Sequence, residues 1–175
     1  MELSQAIELL STDQLMPVQS AQWADLGSGN GIFTIALANL LKSGSTIYAV
    51  DKDAKALDQI PVTENGVKIE KYKADFVKQE LNLMNIDGIL MANSLHYAED
   101  KVSFIKKAKN WLKPGGSFLV VEYDTSKSNR WVPWPLDFSS LEKLFRSSGF
   151  SLISKIAERP SVFGRAKLYS AIIRR

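Results

Sequence analysis

Three glycines at alternate positions, Gly27, Gly29 and Gly31, lie in the stretch WADLGSGNGIFTIALANLLK, between an apolar run and a helical pattern. An acid, Asp51, follows the third glycine by 20 positions, at the end of the next apolar run. A strand that opens through glycines onto a helix start brings backbone N–H groups and the positive end of a helix dipole close to a ligand. Such a loop holds a nucleotide phosphate, a dinucleotide or a ligand that carries a carboxylate.

Several chemistries are excluded at once. No G-K-[S/T] follows the glycines, which removes a phosphate loop. The dinucleotide fingerprint G-x-G-x-x-G would need its third glycine at position 32, where Ile32 stands, so Gly31 comes one residue early. The chain has no cysteine and a single histidine, His96. Thiol nucleophiles, disulfides, thiolate metal sites and a polyhistidine metal cage are therefore out, and the chemistry must come from elsewhere.

The elements that position these residues alternate almost from end to end. AQWADL, STIYAV, VKIEKY, IDGILMAN, SFLVVEY, FSLISKIA and KLYSAIIRR read as strands. IFTIALANLLK, DAKALDQI, EDKVSFIKKAKNWLK and FSSLEKLFRSSG read as helices, with a connector from Asp75 to Leu83. Strand and helix in turn predict right-handed βαβ units and a mostly parallel sheet covered on both faces, in one α/β domain over residues 1–175. KSGS ends the first of these helices and KPGG is expected to end the helix that begins at Glu99, with Val102, Ile105 and Leu112 on one face and Lys106, Lys109 and Lys113 on another. Asp137 is the expected N-cap of the next helix and Gly149 its end. Only ERPSVFGRA separates the last two strands, too short for a parallel crossover, so they are expected to form an antiparallel hairpin.

A chain of 175 residues that is 45% hydrophobic and 23% charged suits one domain with a real core. No apolar run approaches the roughly 18 residues of a membrane span. The start, MELSQAIELLSTDQ, carries acids and lacks a basic segment before an apolar one, so it does not read as a signal peptide, and the cytoplasm is the expected compartment. Residues 1–19 are expected to be a helical segment. Charge is divided: residues 1–100 hold 7 Lys+Arg against 14 Asp+Glu, and residues 101–175 hold 15 against 5. Either a solvated basic face or an anionic partner for the second half accounts for this. The insertion from Asp124 to Asp137, DTSKSNRWVPWPLD, reads either as a lid or binding wall or as a loop whose Trp131 and Trp134 cover a helix end.

DLGSGNG with Asp25 two residues before the first glycine, the acidic strand end IYAVD, KADF after the third strand, NSLHY after the fourth and PGGSFLVVEYD at the fifth together resemble the class I S-adenosylmethionine-dependent methyltransferases across nearly the whole chain. The resemblance implies a single-domain, Rossmann-like three-layer sandwich with a seven-stranded, mostly parallel sheet whose last strand is antiparallel, and S-adenosyl-L-methionine as cofactor. It implies that Gly27, Ser28, Gly29 and Asn30 lie under the methionine part. Asp25 would hold the loop and the methionine amino group. Asp51 would accept from both ribose hydroxyls, Lys52 would flank the adenine, and Asp75 would take its exocyclic amine with Phe76 against the ring. The backbone near Asn93 would meet the amino group. Asp75 as a helix cap and Phe76 as core filler are the alternatives.

A sulfonium methyl is already activated, so such a protein chiefly aligns a nucleophile and excludes water, with a base needed only if the nucleophile enters protonated. His96, just beyond the fourth strand, is either that base or a packed histidine; Tyr97, Tyr123 and Asp124 are alternative polar groups at the strand tips. NSLH in place of NPPY disfavours DNA adenine methylation. Asn93, where metal-dependent relatives carry an acid, argues against magnesium. The absence of cysteine removes covalent attack at pyrimidine C5. An O or N nucleophile of a small molecule is the expected acceptor, with an RNA or protein acceptor and a non-catalytic or NAD-linked binding protein as the other classes.

Overall fold

The computed structural model describes residues 1–15, 19–160 and 166–175. Eight strands join in one sheet: β1 (Gln22–Leu26), β2 (Thr46–Asp51), β3 (Thr63–Glu64), β4 (Val67–Lys73), β5 (Ile86–Ala92), β6 (Leu112–Tyr123), β7 (Leu152–Pro160) and β8 (Lys167–Arg174). Their order is β3-β4-β2-β1-β5-β6-β8-β7. The central strands from β4 to β6 pair in parallel. β8 enters antiparallel between β6 and β7, as the short link between the last two strands requires; residues 161–165 of that link lie outside the described residues.

The expected seven strands become eight through a two-residue hairpin. Thr63 pairs with Lys68 and Glu64 with Val67, and the turn between them is Asn65-Gly66 with φ of 49° and 74°. Two left-handed residues in a row are what a type I′ turn needs, and Asn-Gly supplies them.

Period-two alternation divides the core between the two faces of the sheet. In β6, Phe118 and Val120 pack with Phe104 and Ile105 of α4 (Lys101–Lys109) and with Leu141 and Phe145 of α5 (Phe138–Ser147). Leu119 and Val121 point the other way, toward Leu9 and Leu10 of α1 (Leu3–Leu10) and Phe33 and Leu37 of α2 (Ile32–Leu40). A smaller cluster of Ala49, Leu57, Ile60 and Ile69 seats α3 (Ala54–Asp58) on the β2 and β4 end. The β4 to β5 crossover carries no helix, in agreement with the expected connector.

One expected helix is too long by a turn. α4 ends at Lys109, not near Lys113, because the Ile86 N–H takes the Trp111 carbonyl and Leu112 pairs with Ile86 at the start of β6. Strand pairing therefore overrides helix propensity there, and Leu112 leaves the face it was expected to share with Ile105. Val102 is exposed rather than inward. The expected ends of α5 hold: Asp137 Oδ1 accepts from the Ser140 N–H at 2.8 Å, and Gly149 has φ 84°.

Gly88 on β5 lies opposite Trp23 on β1. A Cβ at Gly88 would sit 2.3 Å from Cη2 of the buried indole. Gly88→Ala is expected to destabilise the protein by about 1–3 kcal/mol, the usual cost of overpacking. Denaturant unfolding measures this, and an unchanged midpoint would mean that Trp23 can retreat at no cost.

Candidate functional site

In an open α/β sheet the crevice outside the carboxyl ends of the strands is the natural ligand site. The loop after β1 turns across that edge. The N–H groups of Gly27 and Ser28 both donate to the Val50 carbonyl, at 2.8 and 3.1 Å. Gly27, Gly29 and Gly31 take φ of 79°, 53° and 86°, the left-handed region that glycine enters without steric cost. Gly27 also lacks room for a side chain, since a Cβ there would lie 2.6 Å from Ser94 Cβ. At Gly29 a Cβ would meet nothing within 4 Å among the described residues, so its backbone borders open space there.

Asp51 stands at the tip of β2. Its Oδ2 accepts from the Gly29 N–H at 2.8 Å and its Oδ1 from the Asp53 N–H at 2.9 Å. Each oxygen keeps a further lone pair for a ligand hydroxyl. Asp75 follows β4, and its Oδ1 accepts from the Val77 and Lys78 N–H groups at 3.1 and 3.3 Å, so it does cap its own turn. Phe76 serves two purposes: it packs edge-on against Phe104, and its ring lies 3.2 Å from where a Gly27 Cβ would be.

These groups meet in a cavity of about 400 Å³ lined by Gly27, Asp51, Lys52, Asp75, Phe76, Ser94 and Tyr97, among others. Ser94 and Lys78 line it without having been singled out in the sequence. Adjacency to Asn93 is the one signal for Ser94, whose hydroxyl donates to the Leu26 carbonyl at 2.5 Å and so ties the end of β5 to β1.

Asp25, Ser28, Gly29, Asn30 and Asn93 are not among the cavity's lining residues. Asp25 is buried beneath the loop, where Oδ2 accepts from the Thr34 hydroxyl at 2.6 Å. Asn93 is held at φ 54°, unusual for a residue other than glycine, by its N–H donating to the Val121 carbonyl at 2.7 Å. Asp25 Oδ1, Ser28 Oγ and Asn93 Oδ1 are buried without a hydrogen-bond partner among the described residues. Acceptor oxygens left in this state suit a ligand that brings donors, and an ammonium group brings three.

Beside the cavity, the turn Leu95–Tyr97 carries the lone histidine. His96 is buried, and its Nδ1 lies 2.7 Å from Oε2 of Glu122. The backbone N–H of His96 donates to Oε1 of the same carboxylate at 3.1 Å. Nε2 is buried without a partner among the described residues. Tyr97 is half exposed, tilted against the His96 ring at 4.4 Å between centroids, with Lys52 Nζ 5.9 Å from its own centroid. Glu122 escaped notice in the sequence because an acid near the end of an apolar strand has no local mark of its partner.

The insertion 124–137 is fastened at both ends. Asp124 Oδ1 accepts from the Phe138 N–H at 3.0 Å, and the buried Tyr169 hydroxyl donates to the Leu136 carbonyl at 2.8 Å. Between them the Trp134 N–H donates to the His96 carbonyl at 3.2 Å. Val132 and Leu136 are buried, whereas Trp131 and Trp134 are 73% and 44% exposed. The aromatic rings thus stand at the surface of a segment bonded to the histidine turn. Tyr123 precedes it on β6.

Burial drives the Asp25 carboxyl from its ordinary value of 3.8 up to about 7; the Thr34 hydrogen bond opposes this and the charge of Asp51 adds to it. Between these values the folded protein binds a proton that the unfolded chain has released. The resulting stabilisation is complete below about pH 4 and is lost as pH rises through about 7. Asp25→Asn, which keeps an acceptor for Thr34, is expected to remove this slope and to unfold at a higher temperature than the parent at pH 8. Thermal unfolding between pH 4 and 8 is the measurement; a parental slope in the variant would exclude Asp25 as its source.

A family model for the methyltransferase domain matches residues 24–120, more than half of the chain. Ribosomal protein L11 methyltransferase of Halalkalibacterium halodurans is 34% identical over 109 residues, 60% of this chain and 33% of that protein. The chain therefore spans about a third of that relative's length. Among solved structures, an S-adenosylmethionine-dependent methyltransferase from Mesorhizobium loti aligns with a TM-score of 0.69 at 20% identity over 99% of this chain and 100% of that one. A second, 1,6-didemethyltoxoflavin-N1-methyltransferase of Burkholderia thailandensis with bound 1,6-didemethyltoxoflavin and S-adenosylhomocysteine, aligns with a TM-score of 0.73 at 16% identity over 99% and 77%. At such identities the solved structures establish the fold, and the domain match supplies the lineage. The chain belongs to the class I S-adenosylmethionine-dependent methyltransferase family.

Proposed function

We propose that this chain holds S-adenosylmethionine in the cleft at the strand ends and transfers its methyl group, in the cytoplasm, to an oxygen or nitrogen of a small-molecule acceptor. The observation that carries this is the meeting of Gly27, Asp51, Asp75 and Phe76 in one cavity. When bound, the cofactor supplies a methyl carbon already activated by its sulfonium.

The chain's own residues then bind, orient and exclude water. Asp51 accepts from the ribose hydroxyls, Lys52 flanks the adenine, and Asp75 and Phe76 take its amine and its face. The open backbone at Gly29 and its neighbours Gly27, Ser28 and Asn30 receive the methionine part. The orphaned oxygens of Asp25, Ser28 and Asn93 accept from its amino group. His96 and Tyr97 lie on the acceptor side. Fixing the reactants in line contributes much of the rate, which is why no triad is needed.

Exposed aromatic side chains at Tyr97, Trp131 and Trp134 favour a small, flat acceptor, since ring faces bind planar molecules well. The Burkholderia neighbour holds 1,6-didemethyltoxoflavin. A protein acceptor is the second reading, favoured by the name of the Halalkalibacterium relative and by the basic second half of the chain. Methyl-labelled cofactor separates them: incubated with a cell extract, label in the small-molecule fraction supports the first, and label retained on macromolecules supports the second.

Asp51→Ala is expected to weaken S-adenosylhomocysteine binding by roughly 1–3 kcal/mol, because ribose hydroxyls lose their acceptor and the Gly29 N–H loses its anchor. Calorimetric titration reads this directly. An unchanged dissociation constant would remove Asp51 from the site.

A further inference from the structure

At the end of the sheet opposite the glycine loop, the starts of β1, β5 and β6 and the end of β8 border a second cavity of about 390 Å³. Leu15, Trp23, Asp87, Lys113, Ser117 and Arg174 are among its lining residues. Because β8 is antiparallel, its last residue, Arg174, comes opposite Ser117 where the parallel strands begin. On β6, Lys113, Pro114, Gly115 and Gly116 stand against the single residue Asp87, between the pairs Ile86–Leu112 and Gly88–Ser117. Such a bulge re-aims side chains, and Lys113 Nζ reaches Asp87 Oδ1 at 2.8 Å. Asp87 Oδ2 accepts from the Gln22 N–H at 2.7 Å. Both oxygens of this carboxylate are engaged, and Lys113 balances its charge.

Arg174 has no such balance. Its Nε donates to the Ser117 hydroxyl at 3.0 Å and its Nη2 to the Gln14 carbonyl, which are neutral acceptors. Among the described residues it makes no ion pair. A guanidinium carries five N–H donors, so most of them remain for a ligand. Gly115, at φ 80°, borders the same cavity, and a Cβ there would meet nothing within 4 Å among the described residues. Leu15 and Trp23, both buried, supply an apolar wall.

We propose that this cavity binds a small organic monocarboxylate, with its charge on Arg174 and Lys113 and its hydrocarbon body against Leu15 and Trp23. The planar fork of a guanidinium matches a carboxylate in shape and charge. One unbalanced positive charge takes one negative charge, whereas a phosphate dianion would bring a surplus beside Asp87. The site stands apart from the cleft at the glycine loop, and no part of it rests on the methyltransferase assignment.

Benzoate is the probe and benzamide its neutral counterpart. In amide nitrogen–proton spectra of the whole ¹⁵N-labelled protein, benzoate is expected to shift the signals of Gly115, Ser117 and the Arg174 Nε–H and to leave Gly27 and Gly29 in place. Benzamide is expected to bind at least about tenfold more weakly, because the charge-assisted bonds are lost. Arg174→Gln is expected to weaken benzoate by a similar factor while S-adenosylhomocysteine affinity stays within about twofold. Lys113→Gln, which uncovers the charge of Asp87, is expected to weaken benzoate as well, and it serves alone if Arg174→Gln does not fold. Absence of a shift at Gly115, shifts confined to the glycine loop, equal binding of benzamide, tighter binding of inorganic phosphate, or an unchanged benzoate dissociation constant in either folded variant would each overturn the proposal.

Discussion

The site depends on one steric constraint, the absence of a side chain at Gly27. At that point the chain leaves β1 in the left-handed region, takes the Val50 carbonyl of β2 with its N–H, and passes against Ser94 at the end of β5 with no space for a Cβ. Ser94 in turn bonds the Leu26 carbonyl. Three strand tips are thereby drawn together at one residue. Asp51 on β2 bonds the Gly29 N–H and so holds the next turn of the loop in the same frame.

Two buried acids flank this frame, and their surroundings make them unlike. Asp25 has one short bond to Thr34 and one oxygen with no partner among the described residues, and burial raises its affinity for a proton. Glu122 has a partner for each oxygen, both from His96, and its place in the middle of the sheet sets the orientation of that ring. A carboxylate left short of donors invites a ligand, while one fully supplied from a single residue fixes geometry.

The two-sided packing explains why the strand tips can be so precisely placed by such ordinary material. Alternate residues of β6 bury into opposite helical layers, so the strand cannot slide by one residue without exposing Phe118 and Val120 or Leu119 and Val121. Phe118, Phe145 and Phe150 meet edge to face within about 5.5 Å and lock α5 to the sheet. Register fixed in the core delivers Asn93, Glu122 and Asp124 to the carboxyl ends of β5 and β6.

What the sequence by itself determined was everything carried by local pattern. Alternation of strand and helix, the glycine spacing, the caps Asp137 and Gly149 and the short last link specified a parallel sheet with an antiparallel final strand and placed Asp51 and Asp75 at strand tips. Asn65-Gly66 was an equally local turn signal, and it made the eighth strand. The tertiary structure alone decided what depends on pairs distant in the chain. Trp111 leaves its helix because Ile86, 25 positions earlier, needs a strand partner. Ser94 enters the cavity because Gly27 has no side chain to keep it away. Glu122 becomes the partner of His96, 26 positions before it, because β5 and β6 lie side by side. Hydrophobic period and turn chemistry act over a few residues, whereas hydrogen-bond partners across a sheet are chosen only when the strands come together.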